Sequence, residues 1–133
     1  MKALIPACLL ILAGCAVTPD ELRQQEPHLT AALPDNYAEA ARCVGRKFEN
    51  KKSAMFTATP VEIRDYPREE ISELVSRHGV VLGFITEFRP ATVGSTMRVY
   101  YVPPVFGGET ALDRMAESVG ECGGHIIIRR PAH

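Results

Sequence analysis

The stretch VVLGFITEFRPATVGSTMRVYYV, residues 80–102, decides the fold. Its first nine residues alternate, so that Val80, Leu82, Phe84 and Phe88 fall on one side of an extended chain. Residues 89–94, RPATVG, then place Pro and Gly where a turn uses them. Residues 95–102 alternate again, with Met97, Val99 and Tyr101 opposite Thr96, Arg98 and Tyr100, and Pro103-Pro104 ends the run. Two alternating runs joined by a short turn predict an antiparallel hairpin.

Working outward, residues 36–50 read as a helix. Asn36 and Glu39 are spaced like a capping box, and Tyr37, Ala40, Ala41, Val44 and Phe48 recur on one helical face. Residues 54–64 carry extended signals interrupted by Pro60. After Asp65-Tyr66-Pro67, the spacing of Ile71, Leu74 and Val75 predicts a second helix, with Glu69 and Glu70 at its start, Arg77 near its end and His78-Gly79 as its stop. Glu73 would then join those acids on a solvated face. Beyond the hairpin, Leu112, Met115, Ala116, Val119 and Cys122 form another helical stripe, Gly123-Gly124 closes it, and His125 to Ile128 reads as a strand. The expected class is therefore α+β: an N-terminal helix, then a ferredoxin-like β-α-β-β-α-β order, with one sheet and helices mainly on one face. If the first strand fails, a less regular antiparallel sheet with three helices is the alternative.

Composition narrows function. The chain has 133 residues and a net charge of −1, without a polybasic block, so nucleic acid is a poor partner. Lys2 precedes an apolar run from Ala3 to Gly14 that is too short to cross a bilayer and has signal-peptide proportions. Leu12-Ala13-Gly14-Cys15 resembles the lipobox of bacterial lipoproteins. That resemblance implies cleavage between Gly14 and Cys15, acyl chains such as palmitate on Cys15, and anchoring without spanning. Ala16, rather than the Asp that retains lipoproteins at the inner membrane, implies an outer-membrane address with the domain facing the periplasm. Residues 1–14 are then signal, residues 15–35 a proline-rich lipidated tether and residues 36–133 one periplasmic domain. The segment from Ala116 to Ile128 is also similar to the close of several small envelope lipoprotein families, the stress-sensing lipoprotein of the Rcs pathway among them.

On this reading Cys8 leaves with the signal and Cys15 takes lipid, so Cys43 and Cys122 remain in an oxidising compartment. A Cys43–Cys122 disulfide is expected; two free buried thiols are the alternative. No catalytic residues, cofactor or metal are expected, because Cys122 and His125 lack a second ligand pair at metal-site spacing. If Met97, Val99 and Tyr101 face the core, then Arg98 and Tyr100 face away, with Val81 and Ile85 beside them on the neighbouring strand. Tyr and Arg commonly anchor interfaces, which makes these four a candidate binding face. The leading expectation is a lipid-anchored envelope binding or structural module that is not an enzyme and engages an envelope protein. A stress sensor or an inhibitor/immunity lipoprotein comes next, and a small periplasmic hydrolase third.

Overall fold

A computed structural model describes residues 18–50, 61–78, 81–102 and 109–131. In chain order the elements are α1 (Pro19–Arg23), β1 (Leu29–Leu33), α2 (Tyr37–Asn50), β2 (Val61–Tyr66), β3 (Ile71–His78), β4 (Val81–Pro90), β5 (Ser95–Tyr101), α3 (Glu109–Glu121) and β6 (His125–Arg129). All six strands form one sheet in the order β2-β3-β4-β5-β1-β6, and every neighbouring pair is antiparallel.

The hairpin read from residues 80–102 is β4 and β5, with Phe88 opposite Met97 and Thr86 opposite Val99. Its apolar face is the expected one: Phe84, Phe88, Met97, Val99 and Tyr101 are buried in the main core. Leu29, Ala31 and Leu33 of β1 and Leu74 of β3 complete that face. Ala40, Ala41, Val44 and Phe48 of α2 and Leu112, Met115 and Val119 of α3 close over it. Phe48 meets Phe84 edge-on at 5.2 Å between ring centres, and the Arg114 guanidinium lies 5.3 Å above Phe48. The Asn36 side chain accepts from the Glu39 N–H, which caps α2 as its sequence predicts.

Cys43 on α2 is disulfide-bonded to Cys122, just after α3, with Cα atoms 6.0 Å apart. The expected clamp between these two helices is thus present.

Two expectations need correction. The helix read over residues 67–78 is instead the turn 67–70 followed by β3, so the ferredoxin-like β-α-β-β-α-β order does not hold. Residues 61–78 form a hairpin in which Glu69 N–H donates to Tyr66 O and Glu70, at φ 54°, turns the chain back. The sheet is antiparallel with three helices, as in the alternative, but the first strand holds as β2 and the third helix is α1 in place of the one expected over residues 67–78. Nor are residues 15–35 a tether throughout. Pro19–Arg23 is helical, and Leu29–Leu33 is an interior strand between β5 and β6. Residues 1–17, including the Gly14–Cys15 cleavage position, and residues 51–60 lie outside the described residues.

Candidate binding face beneath the N-terminal helix

The strands alternate, so the face away from α2 and α3 receives the other half of their side chains. On β3 these include Glu73 and Val75, on β4 Ile85, Glu87 and Arg89, and on β5 Thr96, Arg98 and Tyr100. Ile85 and Tyr100 do point away from the main core, as the alternation requires. They are not open, however: with Val75 they form a second buried cluster under Leu22 of α1. Ile85 is 1% exposed and Tyr100 5%, which corrects their assignment to a free surface. Arg98 is exposed, as expected, and no ion pair holds it among the described residues. Val81 begins β4, and its side chain lies outside the described residues.

The covering element is small. Thr18 accepts from the Glu21 N–H while the Glu21 carboxylate accepts from the Thr18 N–H, a reciprocal cap on a five-residue helix. A helix this short does not hold itself together in water, so its docking must come from side chains. Leu22 is its one buried residue, and burying it contributes about 2 kcal/mol. Arg23 supplies the second contact.

Beside that apolar cluster, Glu73 and Glu87 stand directly opposite each other on β3 and β4. Both carboxylates are almost sealed from water, at 4% and 5% exposure. Arg23 joins them: its Nη2 donates to Glu73 Oε1 at 2.6 Å, and its Nε lies 3.2 Å from Glu87 Oε1. Arg89 approaches the other Glu87 oxygen at 3.6 Å, from the flank. Two adjacent buried anions are costly unless a cation is shared between them, and α1 delivers that cation. Desolvation nevertheless dominates at Glu73 and raises its carboxyl pKa above the ordinary value, against the lowering pull of Arg23. Glu73 and Glu87 line an open cleft of about 330 Å³, together with Arg23, Tyr66, Glu69, Ile71 and Arg89.

Sequence reasoning missed Glu73 and Glu87 because Glu73 was placed on an exposed helix. A Glu on each of two neighbouring strands was the available signal, but it becomes visible only once residues 71–78 are read as a strand.

The pKa direction at Glu73 has a measurable consequence. A raised carboxyl pKa means the folded chain binds the proton more tightly than the unfolded chain. Glu73 therefore favours the fold most below the ordinary carboxyl value, and that contribution is lost as pH rises through the raised value. Glu73→Gln removes this slope. Its stability at pH 7 should stay within about 1 kcal/mol of wild type, and wild type should gain on the variant as pH falls from 7 towards 4.5. Urea unfolding of both proteins across that range is the check; a difference moving the other way would refute the assignment. His28 acts oppositely. Burial, followed by Arg130, lowers its pKa, so its contribution is lost as pH falls through the folded value. It is common to both proteins and cancels in the comparison.

Among the described residues, no group of three or more His, Cys, Asp or Glu could hold a metal, and no helix is long and apolar enough to cross a membrane. The chain matches no family model, no curated protein and no solved structure.

Proposed function

We propose that this chain is a lipid-anchored cell-envelope module that binds a protein partner and is not an enzyme. Acyl chains on Cys15 hold it at the outer membrane, and the sheet face beneath α1 is its working surface. One observation carries the reading: the fold is already engaged at Thr18, whose side chain caps α1. Two residues, Ala16 and Val17, lie between Cys15 and Thr18, so the three chain steps span about 11 Å at most. On this reading the acylated residue is within that reach of the start of α1, without the long tether that the prolines suggest. Arg98 and Arg89 rim this face and supply interface-type side chains outside the buried part.

The paired glutamates favour binding over hydrolysis. Glu73 Oε2 is buried from solvent, and Glu73 Oε1 accepts from Arg23. While α1 is seated, Arg23 thus occupies the Glu73 carboxylate, which leaves it less free to act as an acid or base.

The anchor is tested by Cys15→Ala in cells fed a labelled fatty acid. The variant should lose all label and leave the membrane fraction, whereas wild type should carry an acylated Cys15 at its mature N-terminus. A wild-type mature N-terminus elsewhere, with no acyl mass, would sink the reading.

A further inference from the structure

We propose that α1 is a displaceable strap over a peptide-docking groove. The groove takes a partner segment presenting an aliphatic side chain followed directly by arginine. This rests on the binding-module reading and specifies its partner chemistry.

The two faces of the sheet are separately packed. The main core, with α2, α3 and the disulfide, contains nothing from α1. The second cluster has four buried members, Leu22, Val75, Ile85 and Tyr100, and only Leu22 comes from the strap. Removing α1 therefore opens the second face while leaving the first intact. What it opens is chemically specific: an aliphatic and aromatic seat next to two cross-strand carboxylates. Among the described residues, without Arg23 Glu87 keeps Arg89, from the side, and Glu73 loses its ion-pair partner. The vacated groove thus calls for an apolar side chain and a guanidinium in adjacent positions, which is how Leu22 and Arg23 fill it. Arginine suits the role better than lysine, because its fork reaches both carboxylates at once. The strap also begins four positions after the proposed anchor in sequence, so its release and the position of the lipid would be linked.

The test uses the purified full chain without membrane, so its outcome does not depend on acylation of Cys15. The probe is a fluorescent peptide with the sequence of residues 18–26, TPDELRQQE, and the control peptide carries Asp and Glu at the Leu and Arg positions. In Leu22→Asp/Arg23→Glu protein the strap is disabled while the main core remains. This variant should bind the probe at least about tenfold more tightly than wild type, whose own α1 competes. The control peptide should not bind, and adding Ile85→Asp should abolish probe binding. A folded, strap-disabled variant that ignores the probe would overturn the proposal. So would equal binding by wild type and variant, or a shift of wild type to a strap-exchanged dimer. Hydrogen exchange on wild type gives a second reading should the variant fail to fold. The Leu22 amide, which donates to Thr18 O, should exchange at least about a hundredfold faster than the paired β1 and β5 amides. Exchange of α1 only through global unfolding would reject the strap.

Discussion

Removing the disulfide should lower stability by about 4–5 kcal/mol, the largest effect expected from a single bond in this domain. The bridge spans a sequence separation of 79 residues, and closing a loop of that size removes unfolded-chain entropy of this order. It joins Cys43 of α2 to Cys122 after α3, the two helices that together cover the main core. Small domains commonly have only about 5–15 kcal/mol to lose, so the bond accounts for a large share. The double variant Cys43→Ser/Cys122→Ser is the clean comparison, since it leaves no unpaired thiol. Its melting temperature should fall by roughly 15 °C or more. Non-reducing peptide mapping of wild type should yield Cys43 and Cys122 in one linked product. A reduced wild-type protein that melts within about 2 °C of the oxidised form would show that the bridge contributes little.

That bond was legible in sequence because its two cysteines sat beside helical stripes with clear periodicity. The helices α2 and α3 were legible for the same reason: each buries one face, and a single buried face prints its period on the chain. The hairpin was legible from its alternation and its turn, although Ile85, Glu87 and Tyr100 are buried on its second face. The segment β3 carries no such pattern. Leu74 enters the main core while Val75 lies under α1, and Ser72 and Ser76, on the Leu74 face, are buried polar positions to either side. With both faces covered, the strand shows no alternation, and Ile71, Leu74 and Val75 happen to match helical spacing. Acidic residues after Pro67 strengthened the wrong reading. They belong to a turn closed by Glu70 in the left-handed region, a conformation that glutamate does not advertise.

The strand β1 was hidden differently. Leu29, Ala31 and Leu33 do alternate, and all three are buried, but the run is only five residues long and lies between Pro27 and Pro34. Those prolines mark its ends, not a linker. Losing β1 and α1 to the supposed tether also misled the candidate face. The side on which Ile85 and Tyr100 lie follows from the strands, but what covers them comes from residues 18–23, far away in sequence. Of the four residues singled out there, Arg98 remains the open one with a described side chain.

Gly94 should prove the least replaceable glycine, because two independent costs meet there. Its φ of +69° lies in the left-handed region, where a β-carbon costs about 1 kcal/mol. The same β-carbon would overlap the carbonyl oxygen of Leu33 and lie 2.9 Å from that of Pro34. Both neighbours are backbone, so neither can swing aside as a flexible side chain would. Relief requires parting β1 from β5 at the Leu33–Ser95 pair, the corner where the chain leaves the sheet for α2. The turn itself is closed by Ala91 N–H donating to Gly94 O, which resists a local shift. Gly94→Ala should therefore cost about 2–4 kcal/mol. Gly120 is the matched control. It lies in α3 with nothing within 4 Å of a new β-carbon, so Gly120→Ala should be neutral or stabilise by up to about 1 kcal/mol. Urea unfolding of the two variants beside wild type separates the cases. If Gly94→Ala unfolds at the wild-type midpoint, the hairpin turn does not pack against the end of β1, and the seating of that strand inside the sheet would have to be redrawn.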